Sequence, residues 1–221
     1  MSRLSRVGVV ALLALGACRP DPVGPSPYQN QESFPDGGAG DGGSNSLPGP
    51  DPFTPGSKRL SVGIFYEGGK SDEIPIDNMT THLYVYSGTV LLQPSTDHIE
   101  GKSADQIVST GMPWWGLGVN WDTAHDLSAW KTMHVSFQAT DASFASFTIG
   151  MLAANAANPV TVNATPYGFT PDGNWHTLAI PLADLTVQGL DLKQTTAAIV
   201  LAGTNAPGGS NLRIDDLYYT Q

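Results

Sequence analysis

Cysteine, positive charge and long apolar runs are what this chain has least of, and each shortage closes off a class of protein. The single cysteine, Cys18, rules out a disulfide inside the 221-residue chain. Ten Lys and Arg against 20 Asp and Glu give a net charge of −10 and a pI near 4.6. No basic stripe is available to neutralise phosphates, so nucleic acid is not an expected partner. Docking on anionic lipid through charge alone is disfavoured in the same way. At 14% charged residues the chain is no coiled coil, and its apolar stretch near the start is too short to span a bilayer. What it has in quantity is 25 glycines and 17 prolines, which leaves one ordinary folded domain with extensions.

Arg3 and Arg6 precede an apolar run over 7–14, followed by Leu15-Gly16-Ala17-Cys18. A short positive region, a short apolar region and small residues at a cleavage point make an export signal over 1–17. Its ending resembles the lipobox of bacterial lipoproteins. That resemblance implies cleavage before Cys18, acylation of its thiol and new amino group, and a lipid-anchored place in the bacterial cell envelope, at the outer membrane. Several acyl chains on one residue anchor stably where one would not. An ordinary secretory signal with a chance cysteine is the alternative. Removing Arg3 and Arg6 leaves eight basic residues against twenty acidic, or −12. From residue 19 to 58 the chain holds nine prolines, eight glycines and the acidic residues Asp21, Glu32, Asp36, Asp41 and Asp51. With almost no aliphatic side chains this stretch, 18–58 with the cysteine, reads as a disordered linker. Forty such residues reach roughly 35 Å as a coil and at most about 120 Å when fully extended.

Residues 59–221 carry short apolar runs broken by Gly, Pro, Asn and Asp clusters, without a sustained helical period. The fold class this implies is all-β, an antiparallel β-sandwich, expected as a monomer. Strands are expected over 60–66, 82–87, 103–108, 115–121, 132–139, 146–152, 161–163, 175–181, 196–202 and 212–219. Helical turns are expected only near 182–185 and 191–195.

One stretch, 112–121, places two tryptophans beside alternating small and apolar residues. In a strand, Trp115, Leu117, Val119 and Trp121 point to one face and Trp114, Gly116, Gly118 and Asn120 to the other. The first set fits a core. The second sets an indole beside two residues without side chains, as a surface needs if a flat ligand such as a sugar ring is to approach the backbone. Alternation likewise exposes His82, Tyr84 and Tyr86; His134, Ser136 and Gln138; and Ser146, Thr148 and Gly150. These four strands are expected to pair into one sheet and form a platform.

The order Asp126-Leu127-Ser128-Ala129-Trp130, then Met133 to Phe137, then Trp175-His176-Thr177-Leu178-Ala179-Ile180-Pro181-Leu182, then Leu212-Arg213-Ile214-Asp215-Asp216-Leu217 resembles the jelly-roll carbohydrate-binding modules with a galactose-binding-domain-like fold. The resemblance covers most of 59–221. It implies a polysaccharide or other glycan as ligand, held by Trp114, Tyr84 and Tyr86 with His82, His134 and Gln138 bonding to hydroxyls. It also implies a structural calcium between the first and last strands, at Glu67, Asp215 and Asp216.

Chemistry is not expected. The strands lack paired carboxylates for glycoside hydrolysis, and there is no Gly-x-Ser-x-Gly, no His-Glu-x-x-His and no phosphate loop. A lyase using Tyr84 beside His82 is the nearest enzymatic alternative. The sequence therefore reads as a membrane-anchored, non-catalytic carbohydrate-binding lipoprotein. A structural or protein-interaction lipoprotein without sugar binding is the second reading.

Overall fold

A computed structural model describes residues 60–62, 72–74 and 81–221, the backbone alone for 72–74. The expected signal peptide, linker and Glu67 lie outside the described residues. Twelve strands, one helical turn and several 3-10 turns make up the described chain. The strands are β1 (Leu60–Val62), β2 (Asp72–Ile74), β3 (Thr81–Val85), β4 (Val90–Ser95), β5 (Ala104–Ser109) and β6 (Trp114–His125). They continue as β7 (Thr132–Ala139), β8 (Thr148–Ala153), β9 (Val160–Asn163), β10 (His176–Pro181), β11 (Thr195–Thr204) and β12 (Asn211–Thr220). The helical turn α1 (Ala183–Thr186) and a 3-10 turn at Leu192–Gln194 fall where the sequence places its helical signals.

Two sheets stack face to face, as the sandwich pattern predicts. The five-stranded sheet runs β3-β6-β11-β8-β9. In the seven-stranded sheet, β12 is central: β7 and then β10 flank one side, and β5 with β4 and β1 with β2 share the other. All pairs are antiparallel except β1 with β2, which is parallel.

Alternation puts the large apolar side chains between the sheets. Trp115, Leu117, Val119, Ile149, Ile199 and Leu201 come from one sheet, and Ile107, Met133, Val135, Phe137, Leu178, Ile180, Leu212 and Ile214 from the other; all are buried. Phe147 packs edge-on against Phe137 at 4.9 Å and Phe169 at 5.1 Å, the geometry that aromatic quadrupoles favour. A hydrogen bond crosses the core: the Tyr219 hydroxyl of β12 donates to the Ala198 carbonyl of β11. Burial pushes that phenol far above its usual range, so it stays neutral and a donor.

The Asp126-Leu127-Ser128-Ala129-Trp130 turn has a clear local cause. Asp126 accepts from the Ser128 N–H at 2.8 Å, a side-chain-to-backbone turn bond, and Leu127 and Trp130 drop into the core. Two strands are not among the expected ones. In β4, Gln93 and Pro94 interrupt a short apolar run, and a proline is tolerated there because β4 lies at a sheet edge with β5 alone as neighbour. The other is β2.

Candidate functional site

The outer face of the five-stranded sheet gathers four of the expected ligand residues. Register pairs His82 with Asn120, Tyr84 with Gly118 and Val85 with Leu117, so β3 runs beside the glycine-bearing part of β6. Trp114 begins β6 and is 43% exposed, among the most exposed large apolar side chains in the described residues. After β3 the chain enters a 3-10 turn at Tyr86–Gly88, in which Ser87 takes a left-handed φ of 52°. Tyr86 opens that turn, on the same face as Tyr84 by alternation.

Tyr86 explains the two glycines. A β-carbon on Gly116 would stand 2.9 Å from Tyr86 Cδ2, and one on Gly118 would stand 2.7 Å from Tyr86 Oη. The phenol ring therefore lies along β6 in the space that two side chains would fill. The sequence reading left this face open beside Trp114, and the structure fills it with Tyr86. Trp114 adjoins the same spot, its Cζ3 3.4 Å from the Gly116 position. Burial pushes the Tyr86 phenol above its usual value, with the Asn120 side-chain amide beside it opposing the rise. Asn120 Oδ1 is itself buried without a hydrogen-bond partner.

Beyond Tyr86 the floor stays low. Val200 pairs with Gly118 and Gly150, and Ala202 with Gly116 and Thr148, so no side chain larger than valine stands in these two rows across β11 and β8. At the far end His82 Nε2 lies 2.9 Å from Asp122 Oδ1, and its ring is 5.7 Å from that of Tyr84. Asp122 was not among the expected residues; its place one turn of the alternation beyond Asn120 was the available signal.

Two expected ligand residues are elsewhere. His134 and Gln138 lie on β7, which pairs with β10 and β12 in the seven-stranded sheet, so they face away on the opposite side of the sandwich. Only three of the four strands expected to share a sheet do so. His134 stacks on Tyr218 at 4.6 Å and 11° and bonds to the Thr220 hydroxyl at 3.0 Å. The Gln138 amide donates to the Gly173 carbonyl at 3.0 Å.

Of the three expected calcium ligands, Glu67 lies outside the described residues, and Asp215 and Asp216 are adjacent in β12. Asp215 Oδ2 accepts from the Ile99 and Glu100 N–H groups at 2.8 and 3.0 Å, and Oδ1 from the Asp216 N–H at 2.8 Å. The carboxylate thus fastens the loop between β4 and β5 to β12, and burial nonetheless raises its pKa. Asp216 occupies the bulge of β12 with φ of 56°.

The family described as Carbohydrate binding domain 30 matches residues 58–221. Among solved structures, the chain is similar to the family 30 carbohydrate-binding module of a cellulosomal cellulase of Clostridium thermocellum. Identity there is 18%, with 64% of this chain and 91% of that chain covered and a TM-score of 0.52. A further family 30 module aligns at 17% identity over 63% and 91% of the two chains with a TM-score of 0.51. Among curated proteins nothing matches the chain.

Proposed function

The chain belongs to the carbohydrate binding domain 30 family, and from that premise we propose that its domain binds a polysaccharide on the outer face of the five-stranded sheet without cleaving it. The observation that carries this is the ring of Tyr86 laid along Gly116 and Gly118 beside a 43% exposed Trp114. Two aromatic surfaces over a low floor suit sugar rings, whose C–H faces stack on π systems. Tyr84 and His82 supply polar groups beside them for hydroxyls. Asp122 on this face is engaged by His82 rather than paired with a second carboxylate, which supports binding without hydrolysis.

Affinity electrophoresis of the full chain through gels containing hydroxyethylcellulose, mixed-linkage β-glucan, xylan or mannan tests the reading. At least one polysaccharide should retard the parent. Trp114→Ala should weaken that retardation about tenfold or more, the equivalent of roughly 1.4 kcal/mol, with its circular dichroism melt unchanged. Parent-strength binding by a folded Trp114→Ala chain would place the ligand on another face.

The finer reading is that the domain hangs from a membrane through acyl chains on Cys18 and a proline- and glycine-rich tether. Leu15-Gly16-Ala17-Cys18 and the composition of 18–58 support it. Cells fed radioactive palmitate should label the parent and not Cys18→Ala; equal labelling of both would sink the anchor.

A further inference from the structure

The opposite face of the sandwich carries a second row of sugar-binding chemistry. Register sets Gln93 of β4 opposite Gln106 of β5, Gln106 opposite Arg213 of β12, and Arg213 opposite Gln138 of β7. Their chain neighbours Leu92, Ile107, Leu212, Ile214 and Phe137 turn to the core, so all four point outward in one line across the seven-stranded sheet. Three steps of about 4.8 Å give a row some 14 Å long. Trp175, just before β10, ends it, because its successor His176 pairs with Phe137.

The row is built and bounded. Trp175 Nε1 donates to Asp97 Oδ1 at 3.1 Å, and Arg213 Nη1 donates to Asp97 Oδ2 at 3.2 Å and to Gln138 Oε1. Asp97 belongs to the loop that Asp215 fastens to the sheet, so this loop forms a wall along one side of the row. At the other end the amides of Gln93 and Gln106 have no partner among the described residues, and Gln93 is exposed. An unpaired amide offers two donors and one acceptor in a plane. Gln138 is buried, its oxygen accepting from Arg213 and its amide donating to the Gly173 carbonyl, and Asp97 balances the guanidinium, so the row presents the Gln93 and Gln106 amides, part of Arg213 and one indole, without net charge. That complements a neutral, hydroxyl-rich chain rather than an acidic one.

We propose that this row is a second polysaccharide-contact surface, laid across the strands on the face opposite Trp114, with Gln93 and Gln106 as its hydroxyl-binding end and Trp175 as its stacking end. It rests on the reading that the domain binds polysaccharide. Two faces on one domain let a single molecule bridge neighbouring chains of an insoluble glycan, and raise avidity without either site being tight.

The test uses the full chain and whichever of the four gel polysaccharides retards it. Trp114→Ala should retain a weak retardation. Adding Gln93→Ala and Gln106→Ala, both outside the core, should remove the remainder. In the parent, the two glutamine changes alone should weaken retardation two- to fivefold with an unchanged melt. The side-chain amide resonances of Gln93 and Gln106 in the ¹⁵N-labelled Trp114→Ala chain should shift as the same polysaccharide is added. A parent that no polysaccharide retards overturns the Trp114 reading and this one with it. A retarded parent whose Trp114→Ala variant is not retarded, or whose residual binding ignores the glutamine changes, overturns the second row alone.

Discussion

Trp115→Ala is expected to lower the unfolding free energy by about 3–5 kcal/mol, the range for emptying a buried aromatic position, while Trp114→Ala, one residue earlier, changes it by under about 1 kcal/mol. Trp115 is 1% exposed and meets Phe144 at 5.6 Å and Phe147 at 6.0 Å, so its loss leaves a hole lined by rings that cannot close over it. Across the sheet Gly203 is shaped to it: a β-carbon there would fall 2.6 Å from the indole. The indole Nε1 is buried without a hydrogen-bond partner, so the residue is held by shape and not by polarity. Trp115→Phe should therefore cost less than half as much as alanine, since it leaves a smaller hole and removes an unpaired donor. Urea unfolding followed by circular dichroism measures all three, and a Trp115→Ala loss below about 1 kcal/mol would show that the site collapses freely.

That contrast between adjacent tryptophans was legible from alternation alone, because a strand's period of two fixes opposite faces whatever it pairs with. The same logic placed Thr132–Ala139 as a strand and sent Met133, Val135 and Phe137 inward. It could not say which sheet received that strand. His134 and Gln138 point outward as expected, but β7 pairs with β10 and β12, and partners some 40 to 90 residues away are chosen by tertiary packing rather than by the strand's own pattern. Alternation therefore gave the right faces and merged two opposite surfaces into one. Gly116 and Gly118 show a second limit. Missing side chains announce that something comes close, and the sequence suggested a ligand; what comes close is Tyr86, the first residue of the turn after β3. The row from Gln93 to Gln138 was invisible for the same reason as the sheet assignment, since it exists only through register across four strands, one of them disguised by Pro94.

Gly118→Val should abolish most polysaccharide binding, by more than about tenfold, and lower stability by about 1–3 kcal/mol, the cost of overfilling a packed position. The new β-carbon meets two obstacles, the Tyr86 hydroxyl at 2.7 Å and the Ile199 carbonyl at 2.9 Å. They are not equivalent. The carbonyl belongs to β11, hydrogen-bonded on both sides within its sheet, and moving it disturbs two ladders. The Tyr86 ring is the end of a side chain and yields first, lifting off β6 and carrying its hydroxyl away from Asn120. Binding is then lost because the platform tilts, not because a contact to sugar is deleted. Tyr86→Phe makes the distinction, since it keeps the flat ring and removes only the hydroxyl, and should weaken binding no more than a few-fold. A double-mutant cycle separates the two obstacles. In a Tyr86→Ala background the stability loss from Gly118→Val should shrink to the share owed to the Ile199 carbonyl. An undiminished loss there would mean that the valine strikes the neighbouring strand alone, and that Tyr86 lies over the glycines without depending on them.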